Sequence, residues 1–102
     1  VAIGAVFDRN NDGVIADNER TRATGRFGTA VGSGAQATAL NATANGWLAN
    51  ATVDNTTAVG ANTVANAVGA TAIGRAAQAT ATNAVALGTG SVANRANTVS
   101  VG

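Results

Sequence analysis

The amino-acid sequence predicts an all-β fold, a parallel β-solenoid (β-roll) of 14-residue repeats, and three observations carry that reading. A tetrapeptide of Thr or Val, Ala, a branched aliphatic and Gly returns in phase along the chain. Small residues alternate with period two inside each unit, as they do along strands. The large apolar residues that fill a compact core are nearly missing.

The repeat reads TAVG ending at Gly32 and Gly60, TAIG at Gly74, VALG at Gly88 and VSVG at Gly102, with VAIG closing at Gly4. The interval from Gly60 to Gly74 recurs from Gly74 to Gly88 and from Gly88 to Gly102, and the two earlier intervals, Gly4 to Gly32 and Gly32 to Gly60, are each twice as long. The skipped phases fall on Asn18 and on Gly46, which ends TANG. One 14-residue unit therefore accounts for the whole spacing, without insertions. Each unit holds two strands. In one, Ala37, Ala51, Ala65, Ala79 and Ala93 share a column, with Ala35, Ala49, Thr63, Ala77 and Ser91 two positions earlier. In the other, Ala42 and Ala44, Ala70 and Ala72, Ala84 and Ala86 repeat the alternation. Asn and Gly positions between the strands supply turns.

The apolar fraction of 46% comes from Ala and Val, with two Phe, one Trp and neither Tyr nor Met in 102 residues, so any interior is narrow. If the Ala faces point at each other, each rung is a flattened coil, and seven rungs stacked at ~4.8 Å make a rod roughly 34 Å long. The absence of Cys excludes disulfides, thiolate metal sites and a Cys nucleophile, and the absence of His removes the commonest general base. No catalytic residue stands out, and the chain reads as a non-enzyme. A net charge of +1, with all six basic residues Arg, gives no nucleic-acid surface. No leader pattern and no apolar run of membrane-spanning length is present, which argues against direct membrane insertion. The chain opens on Val1 inside one copy of the motif and stops on another, and reads as a piece of a longer protein.

Beside the Gly column stand Ile3, Val31, Val59, Ile73, Leu87 and Val101, an aliphatic stripe on the outside of the coil. An exposed stripe of this length marks a protein interface, and closed cyclic self-association is expected because open stacking gives fibres.

The repeats TAIG and NAVALG and the run NRANTVSVG resemble the YadA-type head of trimeric autotransporter adhesins over residues 23 to 102. The resemblance implies a left-handed parallel β-roll assembled as a homotrimer, with the aliphatic column at the threefold axis. It implies the extracellular passenger segment of a protein displayed at the bacterial outer membrane, where it attaches to host extracellular matrix or cells. Residues 94–102 resemble the start of the family's neck; the whole chain, 1–102, is then one head segment.

Residues 5–26 depart from the pattern. Phe7 fills a column otherwise held by small residues, and Asp17 and Asn18 replace the aliphatic and Gly. The run Asp8 to Glu19 fits the twelve-position calcium loop, with Asp8, Asn10 and Asp12 at positions 1, 3 and 5, Gly13 at 6, the Val14 carbonyl at 7 and Glu19 at 12. Alternating oxygens suit a hard cation, and Gly permits the sharp turn. The flanks are not helical, and Asp, Asn and Gly are also ordinary turn residues, so a solvated turn in frame with the period is the competing reading.

Thr29, Thr43, Thr57 and Thr71 form a ladder beside the aliphatic column. That array motivates the alternative of an ice- or solid-surface-binding solenoid, against a plain β-propensity ladder next to the trimer seam. A solenoid acyltransferase calls for a six-residue repeat and a catalytic His, and has neither here. Trp47 and Leu48 are a ligand-contacting bump or a contact between protomers. Arg9, Arg20, Arg22 and Arg26 form a cluster that suits an acidic polysaccharide or a solvated surface. The sequons at Asn41, Asn50 and Asn55 are expected by chance in so Asn- and Thr-rich a chain.

Overall fold

The computed structural model describes residues 2–3 and 21–102. The chain winds as a parallel coil with two strands per turn. A long sheet contains β1 (Ala2–Ile3), β3 (Thr29–Val31), β5 (Thr43–Asn45), β7 (Thr57–Val59), β9 (Thr71–Ile73), β11 (Val85–Leu87) and β13 (Val99–Val101), stacked in that order. Facing it is a second sheet of β2 (Arg22–Ala23), β4 (Gln36–Ala37), β6 (Asn50–Ala51), β8 (Val64–Ala65), β10 (Gln78–Ala79) and β12 (Val92–Ala93). From Thr29 onward each strand pairs with the strand one repeat away, as in Thr57↔Thr71 and Ala58↔Ala72. The molecule measures 41 × 27 × 17 Å, a flat rod only two sheets thick.

The lumen between the sheets is lined with methyl groups. Ala30, Ala44, Ala58, Ala72 and Ala86 from the long sheet, and Ala37, Ala51, Ala65 and Ala79 from the second, are fully buried. Thr56, Thr63 and Ser91 are the buried polar side chains among the described residues, and each hydroxyl finds a carbonyl in its own chain. Thr56 donates to the Val53 carbonyl at 2.6 Å, Thr63 to that of Gly60 at 3.0 Å and Ser91 to that of Ser100 at 2.9 Å. With these partners made, a hydroxyl is tolerated where Ala is the rule.

Two tight turns close each rung. One is held by bonds such as Ala77 N–H to the Gly74 carbonyl, 3.1 Å, and the other by bonds such as Ala84 N–H to the Ala81 carbonyl, 3.1 Å. The third residue of each turn has positive φ, as a type II turn requires. It also donates along the rod to the turn of the preceding rung: Asn83 to Val68 at 3.0 Å, Ala76 to Ala61 at 2.9 Å. The turns thus stack as the strands do, and the stacking fixes their conformation whatever the side chain. Asn41, Asn55, Asn83 and Asn97 suit it, whereas Phe27, Leu48 and Ala76 adopt φ of 60°, 58° and 62° against their preference. Before one turn runs the Gly column, where φ is 123° at Gly74 and an added Cβ would lie 2.6 Å from the Gly88 carbonyl carbon. Here the residue must be Gly for conformation and for space.

One part of the period is corrected. β1 pairs directly with β3, Ala2 opposite Ala30 and Ile3 opposite Val31, although two full repeats of sequence separate the partners. The chain between them advances the long sheet by one strand spacing where a strict 14-residue unit without insertions allots two. The skipped phase at Gly46 is different in kind, because Thr43–Asn45 forms a full strand of the sheet.

Gly74→Ala is expected to destabilise the coil by roughly 2–3 kcal/mol and lower the unfolding midpoint by about 10 °C. Ala76→Gly is expected to stabilise it by about 0.5 kcal/mol, the relief of the left-handed conformation exceeding the entropy that Gly loses. Thermal unfolding followed by circular dichroism measures both.

Candidate functional site: the outer face of the long sheet

A strand with its middle residue in the lumen turns both neighbours outward. In the long sheet those neighbours are Thr29 and Val31, Thr43 and Asn45, Thr57 and Val59, Thr71 and Ile73, Val85 and Leu87, and Val99 and Val101. The parallel register stacks them into two straight columns with a repeat of roughly 4.8 Å. The aliphatic column is open to solvent in the single chain: Ile73 is 37% exposed, Leu87 43% and Val101 72%. Val31 and Val59 are half-buried. Ile3 is in register with Val31 through β1.

The column is not a continuous stripe as the sequence suggests. Asn45 occupies it between Val31 and Val59, with its side chain exposed. The Thr ladder runs from Thr29 to Thr71 and then continues as Val85 and Val99, so it is the flank of an increasingly apolar face. The second sheet is unlike the first. Its outward residues are Arg22, Gln36, Asn50, Val64, Gln78 and Val92, a largely polar column. The coil therefore has an apolar side and a polar side.

Other large side chains sit on the turns. Phe27 is 76% exposed, and Trp47 is half-exposed on the turn after Asn45. The Leu48 side chain covers Gly34 of the preceding rung, so a Cβ at Gly34 would meet its Cδ2 at 2.6 Å. Asn41 donates to Asn55 at 3.0 Å and Asn83 to Asn97 at 3.4 Å, short amide ladders on the exposed edge. Arg22 stands on a strand of the second sheet and Arg26 on the turn that follows it. A hollow of about 320 Å³ at the last rung is lined by residues 92–95 and 98–100. Among the described residues no group of acidic side chains is placed to hold a metal. The calcium-loop candidates Asp8, Asn10, Asp12, Val14 and Glu19 lie outside the described residues, as do Phe7, Arg9 and Arg20.

The YadA head domain repeat, in units of two copies, matches residues 23–49, 37–63, 51–77, 65–91 and 79–102, each step one rung further along the coil. The chain belongs to this family. A YadA head domain is the kind of head carried by trimeric autotransporter adhesins, and the parallel coil described above is this head's architecture. No curated protein matches the chain. Nothing in the YadA match supports the reading of the Thr ladder as an ice- or solid-surface binder.

Sequence reasoning placed the methyl-lined lumen and the outward direction of the aliphatic column correctly. It passed over Asn45, although TANG stands where the neighbouring rungs read TAVG. It also missed that Phe27, Leu48 and Ala76 stand in left-handed positions, although the Asn and Gly residues of their columns signal it.

Proposed function

We propose that the chain is a structural and adhesive head segment that works as a homotrimer, three left-handed coils packed with their long sheets toward a common axis. The observation that carries this reading is the outward aliphatic column, half-buried at Val31 and Val59 and exposed at Ile73, Leu87 and Val101, on one face of a YadA head domain. A narrow lumen of Ala leaves the larger apolar side chains outside, and water is unfavourable to them. Cyclic closure covers the column in every copy and leaves no free apolar edge to propagate a fibre. The polar sheet, with Gln36, Asn50 and Gln78, then faces outward. Display at the bacterial outer membrane, with attachment to host extracellular matrix or cells through the outward surfaces, follows from the same reading. The segment from Asn94 to Gly102 then leads toward a neck.

Sedimentation equilibrium of the 102-residue chain is expected to give three times the mass of one chain. The pair Ile73→Ser and Leu87→Ser is expected to reduce that to the single mass while circular dichroism still reports the coil, since neither side chain enters the lumen. A wild-type chain that stays monomeric at millimolar concentration overturns the trimer.

Calcium at Asp8 to Glu19 is proposed on the spacing of its oxygen donors along the sequence. Isothermal titration is expected to show one site per chain that Asp8→Ala with Asp12→Ala abolishes. Absence of binding at millimolar calcium rejects it.

A further inference from the structure

The rungs of the apolar face are nearly alike. Thr29 with Val31 and Thr57 with Val59 are the same pair, and Thr71 with Ile73 differs from them by one methyl group. Two such faces pressed together gain almost as much apolar contact after sliding by a rung as before, because the hydrophobic effect has no direction. A repetitive face needs a mark that tells one rung from the next.

Asn45 is that mark. Among the described residues it is the polar residue in the aliphatic column, stacked between Val31 and Val59, and neither neighbour can bond its amide. The contrast with other polar residues of the coil is sharp. Thr56, Thr63 and Ser91 have partners in their own chain, and Asn41 and Asn83 bond the Asn one rung on. The Asn45 side chain makes no hydrogen bond within the described residues, and it points away from the lumen. Asn50 Oδ1 is also unpartnered, but it belongs to a polar column on the other sheet and breaks no apolar pattern.

We propose that Asn45 fixes the register in which copies of this chain assemble; the inference rests on the homotrimer proposed above. A carboxamide carries both donor and acceptor, so three of them at one height close a ring in which each donates to the next. Slid by one rung, the amide faces Val31 or Val59 of another copy and is buried without a partner, which the apolar contact does not repay. A single Asn in an apolar seam sets register in coiled coils for this reason, at some cost in stability. The same rung carries Trp47 and Leu48, so its edge also differs in shape from its neighbours.

The test is a distance measurement between chains. The protein has no Cys, so Thr82→Cys on an exposed turn accepts one spin label per chain. Pulsed electron double resonance on the trimer is expected to give one narrow distance. With Asn45→Val added, the mass is expected to stay threefold and the unfolding midpoint to stay equal or rise, while the distribution splits into components from copies offset by about 5 Å or its multiples. Asn45→Asp is expected to dissociate the trimer at neutral pH by bringing three like charges together. A trimeric Asn45→Val protein with one unchanged distance overturns the register role and leaves the trimer standing. An Asn45→Asp protein that remains trimeric at pH 7 shows that Asn45 does not meet its copies, with the same consequence. A wild-type chain that is monomeric removes the reading beneath both.

Discussion

The distance between the two walls of the coil governs the rest of the molecule. They stand so close that the lumen accepts a methyl group and little else, and Ala fills it from Ala30 to Ala93. A core of that kind buries little apolar surface per residue. The coil is held instead by backbone hydrogen bonds on all four sides, in strands and turns alike. Such a ladder tolerates no local change of length within a rung, which is why the repeat spacing holds so strictly between Thr29 and Gly102. Repeat architectures of this sort gain stability from nearest-neighbour contacts, each rung a template for the next.

The narrow lumen also decides where function can lie. Side chains larger than Ala or Thr must stand outside, and they divide between a polar sheet and an apolar one. An isolated chain with this division is incomplete in the same sense as an amphipathic helix. The trimer proposed above covers the apolar sheet in every copy. In that assembly the turns and the polar sheet are the surfaces left facing outward.

Much of the fold was legible because a coil repeats its reasons. The Ala columns announced the lumen, period two announced the strands, and the recurring Gly announced a backbone position with no room for Cβ. What escaped was whatever happens once. Residues Ala2 and Ile3 pair with Ala30 and Val31 across two repeat lengths, and frame alone does not say which copies of the motif become neighbours. Asn45 escaped because a motif search follows what the copies share, although an unpartnered amide on an apolar face is a physical event. Phe27 and Leu48 were hidden because intrinsic preference argues against their conformation, and hydrogen bonding between stacked turns overrides it.

The direction of that hydrogen bonding has a mechanical meaning. Every inter-rung bond, from Arg22 N–H to the last at Gly102, runs along the rod. A pull on the two ends of a single coil therefore bears on one rung at a time rather than on all rungs together. Each rung that lets go releases one repeat of chain, a length of about 50 Å when extended, in place of the ~5 Å it occupied. A head built this way lengthens in discrete steps under load and re-forms from the rung that remains, so a tether made of such coils yields to tension without breaking.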